Sequence, residues 1–156
     1  MRIEKELKEL FVQKKLTLAL AESCTGGRMA ARLTSIPGAS AYFLGSFVVY
    51  SNELKEKALY VREKSLKEKG AVSKEVVLEM LQGLFSRTSA DFGIAVSGIA
   101  GPTGGSADKP VGTVFAALGS RRKEPEILNL HLEGDREAVL EEAASRLFER
   151  LFRIVS

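Results

Sequence analysis

The sequence has little of what builds disulfide frameworks, zinc sites or membrane spans. Its 156 residues include one cysteine, Cys24, and one histidine, His131. A single cysteine cannot form an intrachain disulfide, and a single histidine excludes the common zinc ligand sets built on paired histidines. No apolar run approaches the roughly 18 residues that cross a bilayer. The amino terminus also lacks the apolar core of a signal peptide, so we expect a cytoplasmic protein.

The overall balance of residues is that of an ordinary globular domain. Hydrophobic residues make up 45% of the chain and charged residues 28%, which excludes a disordered or fibrous chain. The length predicts one domain, residues 1–156, around one core. With 23 basic and 20 acidic residues, the formal charge is only +3. So small an excess does not predict direct nucleic-acid binding.

Helical and strand patterns alternate along the chain. Short apolar or β-branched runs predict strands at 16–21, 43–51, 92–97, 111–118 and 127–132, the last at a sheet edge. Amphipathic stretches predict helices at 3–14, 52–59, 62–69 and 135–152, one running to about Leu33, and one that begins at a Ser73 cap. The alternation predicts an α/β fold. Because no helix separates the strands at 92–97 and 111–118, we expect a mixed sheet.

Two glycine-containing segments follow predicted strands. Residues 21–27 read AESCTGG, and residues 98–106 read GIAGPTGGS. Backbone N–H groups at such places bind anions and can hold a developing oxyanion. The first segment could equally be a helix cap and turn, and the second a flexible connection between strands. The second matches neither the Walker pattern nor the dinucleotide fingerprint.

Two further residues could act as a base. Lys55 ends the segment YSNELK at residues 50–55, and a solvent-exposed lysine is its simplest interpretation. His131 lies in a predicted strand far from both glycine-containing segments, so we reject it as the base.

Five motifs, AESCTGG, YSNELK, GAVS, SGIAGPTGGSADKPVGTV and GDREAV, occur in this order. With this order and spacing the chain resembles the CinA C-terminal domain family over residues 3–152. The resemblance implies a three-layer α/β/α sandwich with a mixed, mostly parallel five-stranded sheet. Stand-alone members of the family are nicotinamide mononucleotide (NMN) deamidases, which release nicotinic acid mononucleotide and ammonia. Longer members carry an additional amino-terminal nucleotide-hydrolase domain, which we do not expect in a chain of this length.

The resemblance also implies roles for individual residues, without a metal or a cofactor. Ser23 would be the nucleophile and Lys55 its base, while Tyr50 and Ser51 would orient the lysine or the substrate ring. Backbone N–H groups of Thr25, Gly26 and Gly27 would stabilise the oxyanion. The expected ribose and phosphate contacts are Ser97, Gly98, Gly101, Gly104, Gly105, Ser106, Lys109 and Arg136. We expect a homo-oligomer, in which Arg136 could act across a subunit interface.

Two alternatives stay open at this point. Cys24 beside Ser23 could be the nucleophile of a cysteine hydrolase, because a thiolate at a helix start is activated. The chain could instead be a non-catalytic nucleotide-binding or interaction module linked to competence or DNA damage.

Overall fold

This computed structural model describes residues 2–156, which fold into five strands, six α-helices and the segments that connect them. The strands are β1 (Leu18–Glu22), β2 (Phe43–Val48), β3 (Phe92–Gly98), β4 (Thr113–Ser120) and β5 (Glu126–His131). The helices are α1 (Ile3–Lys14), α2 (Arg28–Thr34), α3 (Asn52–Leu59), α4 (Glu63–Lys69), α5 (Lys74–Arg87) and α6 (Arg136–Val155), with a short 3-10 helix at Ala39–Ala41. No helix among these residues has the length and apolar character needed to span a membrane.

The strands form one mixed sheet in the order β2-β1-β3-β4-β5. Strand β1 is parallel to both β2 and β3, whereas β4 is antiparallel to β3 and to β5. Four strands therefore run in one direction and only β4 runs in the other, which confirms the expected mixed, mostly parallel sheet. The chain leaves β1 for β2 on one side and later returns to β3 on the other. The carboxyl end of β1 is thus a topological switch point, where α/β folds commonly bind ligands.

Helices cover both faces of the sheet. Leu18 and Leu20 of β1 pack into a core with α1, α2 and α6, which includes Phe11 and Leu147. The alternate residues Ala19 and Ala21 pack into a second core with α3, α4 and α5. Because successive strand residues point to opposite faces, this partition requires a helical layer on each side. The three-layer α/β/α prediction is confirmed.

Side-chain caps start three of the helices. Ser51, Ser73 and Asp135 accept hydrogen bonds from the backbone N–H three residues later, at the starts of α3, α5 and α6. Each cap satisfies a first-turn donor that has no partner within its helix. The predicted cap at Ser73 is confirmed.

Strand β1 begins at Leu18 rather than at residue 16, and the ends of β3 and β5 differ from their predicted bounds by one residue. The differences at β2 and β4 each have a local reason. Strand β2 ends at Val48 rather than at residue 51, because the carbonyls of Val49 and Tyr50 turn out of the ladder to accept hydrogen bonds from Lys55. Strand β4 begins at Thr113 rather than at residue 111, since the Thr113 N–H closes a turn onto the Pro110 carbonyl.

Candidate functional site

Ser23 lies directly after β1, at the switch point. Its N–H donates to the Val96 carbonyl of β3 at 3.1 Å, and its carbonyl accepts from the Gly26 N–H at 3.1 Å. Gly27 then adopts a φ of 100°, which glycine accommodates without strain, and α2 begins at the next residue. The backbone of Ser23 is therefore fixed on both sides at the carboxyl edge of the sheet.

Glu22 precedes Ser23 and is completely buried. One carboxylate oxygen accepts from the Thr25 hydroxyl at 2.7 Å and the Met29 N–H at 2.9 Å. The other accepts from the Ala30 N–H at 3.2 Å and the Ser46 hydroxyl at 2.7 Å. No predicted role fell on this residue. The predicted strand ended at residue 21, so no local pattern indicated that this carboxylate would be buried and surrounded by several donors.

Lys55 is buried on α3, with 1% of its surface exposed. Its Nζ donates to the carbonyls of Val49 at 3.0 Å and Tyr50 at 3.1 Å. Burial lowers the pKa of Lys55 below the ordinary lysine value of 10.5, because it disfavours the charged ammonium. A thiolate at Cys24 would act in the opposite direction and raise it. Interpreting Lys55 as a solvent-exposed lysine was wrong.

The pKa of Cys24 is raised, whereas that of an activated thiol is lowered. Burial, with a further contribution from the Glu22 carboxylate, raises the pKa of Cys24 to about 12, so the thiol stays protonated at neutral pH. His131 lies on β5, which β3 and β4 separate from β1, and it is exposed. Neither observation favours a cysteine hydrolase with a histidine base.

A cavity of about 190 Å³ opens at the carboxyl edge of the sheet. It brings together six of the predicted site residues, namely Ser23, Tyr50, Lys55, Ser97, Gly98 and Arg136. Cys24, the alternative nucleophile, also lines the cavity, together with four residues that had no predicted role, namely Asn52, Ala71, Val72 and Ala100. All four lie within quoted motifs: Asn52 in YSNELK, Ala71 and Val72 in GAVS, and Ala100 in SGIAGPTGGSADKPVGTV.

Arg136 reaches the cavity of its own chain from the start of α6. Its guanidinium donates to the Gly101 carbonyl at 2.9 Å and to the Tyr50 hydroxyl at 3.3 Å. It thereby joins the glycine-rich connection between β3 and β4 to the segment after β2. The side chain is exposed, so this cation lies at the mouth of the cavity.

The other predicted residues lie outside the cavity lining. The Thr25 hydroxyl donates a hydrogen bond to the Glu22 carboxylate, and the Ser51 hydroxyl caps α3. Ser106 accepts from the Lys109 N–H at 3.1 Å, and the Lys109 amine donates to the Lys69 carbonyl at the end of α4 at 2.7 Å. Gly26 and Gly27 lie in the turn before α2, and Gly104 and Gly105 in the exposed part of the β3–β4 connection. Gly101 is buried in the same connection, where its carbonyl accepts from Arg136. Their substrate contacts stay predictions.

The fold and the cavity define a class of protein. It is an α/β domain in which a serine at the switch point and a buried lysine line the same cavity. The family model of the CinA C-terminal domain matches residues 1–155. The chain belongs to this family, as the five motifs predicted.

Named relatives and solved structures agree with this assignment. A CinA-like protein of Desulforapulum autotrophicum is 55% identical over 116 residues, covering 74% of this chain and 27% of the relative. A CinA-like protein of Thermotoga maritima is 44% identical over 150 residues, covering 96% of this chain and 36% of the relative. The chain thus spans about a third of the length of these relatives. The crystal structure of the competence/damage inducible protein CihA from Agrobacterium tumefaciens superposes with a TM-score of 0.95 at 35% identity, covering 99% of this chain and 94% of that one.

Proposed function

We propose that this domain is an amidohydrolase that converts NMN to nicotinic acid mononucleotide and ammonia in the cytoplasm. The observation that carries the proposal is that Ser23 and Lys55, a buried lysine whose pKa is lowered, line the same cavity. A serine hydroxyl is a weak nucleophile, and a site without histidine needs another base to activate it. A lysine can serve when burial makes its neutral form accessible.

The hydrogen bonds of Lys55 suit this role. A neutral amine has two N–H donors and one lone pair. The carbonyls of Val49 and Tyr50 accept two hydrogen bonds from Nζ, which would leave the lone pair to receive a proton. In the proposed cycle Lys55 takes the Ser23 proton while Oγ bonds to the carboxamide carbon.

The rest of the cycle returns the dyad to its starting state. Protonated Lys55 gives its proton to the leaving nitrogen as the carbon–nitrogen bond breaks, and ammonia departs. Water, deprotonated by Lys55, then attacks the acyl-enzyme, and the serine oxygen leaves with that proton. Of the three predicted oxyanion donors, the Gly26 N–H already donates to the Ser23 carbonyl. We therefore assign the tetrahedral oxyanion to the other two, the Thr25 and Gly27 N–H groups. One such donor is worth about 3–4 kcal/mol in other hydrolases.

Arg136 is the proposed partner of the NMN phosphate. It is an exposed cation at the cavity mouth, and a guanidinium can bind a phosphate through two hydrogen bonds. Binding energy from this remote group can lower the barrier at the carboxamide. We therefore expect NMN to be preferred over nicotinamide riboside and free nicotinamide.

An ammonia-release assay with these three amides, run with a chelator present, tests the proposal. We expect turnover of NMN by the parent and its loss in Ser23→Ala, with Ser86→Ala on α5 as the control. Arg136→Ala should raise KM for NMN more than for the riboside, whereas Arg146→Ala on the exposed face of α6 should not. Tight NMN binding without ammonia release would instead support a non-catalytic nucleotide-binding module. Activity that disappears with chelator and returns with zinc would refute the serine mechanism.

A further inference from the structure

Two glutamates are buried in the part of the chain that the structure describes, and their carboxylates have different kinds of partner. Glu4 pairs with Arg32 at 2.6 Å and with Arg2 at 3.4 Å. Glu22 accepts from hydroxyl and backbone N–H groups only, and within residues 2–156 it forms no ion pair. Burying a carboxylate without a cation is costly unless several donors surround it. The positions of those donors therefore indicate what Glu22 does.

The donors to Glu22 come from three separate pieces of the fold. The Thr25 hydroxyl belongs to the turn after Ser23, the Met29 and Ala30 N–H groups to the first turn of α2, and the Ser46 hydroxyl to β2. The N-cap residue of α2 is Gly27, which has no side chain to cap the helix. Glu22 supplies that cap from the preceding strand and holds the turn closed around Ser23.

The backbone of Glu22 is connected to the segment that holds Lys55. The Glu22 carbonyl accepts from the Val49 N–H at 2.8 Å, and the Val49 carbonyl accepts from the Lys55 amine at 3.0 Å. Ser23 is covalently attached to Glu22. One residue thus connects to the serine through a peptide bond and to the lysine through two successive hydrogen bonds.

We infer that Glu22 is a positioning residue that fixes Ser23 relative to Lys55, with its carboxylate joining the turn after Ser23, α2 and β2. This inference rests on the proposed function, because it assumes that Ser23 and Lys55 react together. The Glu22 carboxylate accepts a hydrogen bond from the Ser46 hydroxyl, and the Glu22 carbonyl accepts one from the Val49 N–H. Both hydrogen bonds hold β2 and the residues after it against β1. Losing the carboxylate frees the turn and one of these two connections. A displacement of about 1 Å at a reacting group can cost about 10²-fold in rate.

The test compares Glu22→Gln with Glu4→Gln, which alters the other buried carboxylate outside the cavity. The readouts are kcat and KM for NMN, and the rate at which a fluorophosphonate probe labels Ser23. Every variant is assayed well below its own unfolding temperature. We expect Glu22→Gln to lose about 10²-fold in kcat with KM within about threefold, and to be labelled correspondingly slowly. Glu4→Gln should lose stability while keeping kcat and the labelling rate.

Two milder variants keep the test decisive if Glu22→Gln does not fold. Thr25→Val and Ser46→Ala each remove one donor to the carboxylate, and each should slow labelling and lower kcat in the same direction. Parental kcat and labelling in folded Glu22→Gln, or in both milder variants when it does not fold, would overturn the inference. So would equal losses in Glu4→Gln.

The labelling readout separates this inference from the proposed function. If the parent is labelled at Ser23 but does not hydrolyse NMN, the proposed substrate is wrong, and the labelling rates of the variants still decide the role of Glu22. If the parent is neither labelled nor active, Ser23 is not a nucleophile and the inference is refuted as well.

Discussion

Replacing Lys55 by methionine removes the proposed base while keeping the length of a buried side chain. Lys55 is 1% exposed in the parent, and its amine donates to the carbonyls of Val49 and Tyr50. A positioned general base contributes about 10²–10⁴-fold to a rate. We expect Lys55→Met to lose activity by this factor. Lys55→Arg should fail as well, because a guanidinium does not deprotonate in the working pH range.

The same substitution changes how stability depends on pH. The pKa of Lys55 is lowered in the folded chain and returns to about 10.5 on unfolding. Between these two values the unfolded state binds a proton that the folded state lacks, so the free energy of unfolding of the parent rises with pH. Below the lowered pKa the lysine is charged in both states, and the cost of burying the ammonium is fully present.

The magnitude of this pH effect follows from the same two states. A buried methionine has no ammonium to bury. The free energy of unfolding of Lys55→Met, relative to that of the parent, should therefore be highest at low pH. Its relative stability should then decline towards pH 10.5, by about 1.4 kcal/mol for each pKa unit of lowering. A constant loss of about 1 kcal/mol for each carbonyl left without its donor is superimposed on this change.

Two measurements on the parent, Lys55→Met, Lys55→Arg and a control test this reasoning. The control is Lys57→Met, which alters an exposed lysine on the same helix. The parent kcat/KM should rise with pH along a limb that only the Lys55 variants lack. Urea unfolding at several pH values should show the stability difference changing with pH for Lys55→Met but not for Lys57→Met. Near-parental rates in Lys55→Arg, or a stability difference for Lys55→Met that is the same at every pH, would refute the reasoning.

Three further substitutions have definite expected outcomes. Cys24→Ala should keep most ammonia release while Ser23→Ala abolishes it, since the Cys24 pKa of about 12 leaves little thiolate; the reverse result would make Cys24 the nucleophile. Tyr42→Phe should stabilise the chain by about 1 kcal/mol in urea unfolding, because the Tyr42 hydroxyl is buried without a hydrogen-bond partner among the described residues; a clear loss would reveal a partner. Gly83→Ala should lose about 2 kcal/mol despite better helix propensity, because its Cβ would lie 1.9 Å from the Leu59 carbonyl oxygen; an unchanged unfolding midpoint would show that α3 and α5 can separate.

Periodicity predicted the elements of this fold better than their arrangement. The apolar stripe of α5 and the β-branched run of β2 are local signals, and both elements form. The absence of a helix between β3 and β4 correctly predicted a mixed sheet, in which these two strands form an antiparallel pair. The order of strands depends on which faces pack together across the whole chain, so local patterns did not place β1 between β2 and β3.

The reactive pair was harder to predict from local sequence. Composition favoured an exposed Lys55, because its burial depends on carbonyls that leave the β2 ladder. Its proposed role came from the family resemblance. Glu22 was overlooked because its four donors lie in segments up to 24 residues away along the chain. Such convergence exists only after the sheet has formed.

The reversal at β4 has a consequence for how this domain can change over time. The connection from β3 to β4 leaves and re-enters the sheet at the edge that carries Ser23, and hydrogen bonds between Ile99 and Thr113 and between Gly112 and Ile99 close its base. The exposed residues beyond this base can therefore be exchanged, or their number altered, without shifting the register of β3 and β4. Lys109 and Gly101 are the points at which the connection is tied to α4 and α6. The architecture makes this connection a modular segment, through which substrate range could diverge while the chemistry is inherited intact.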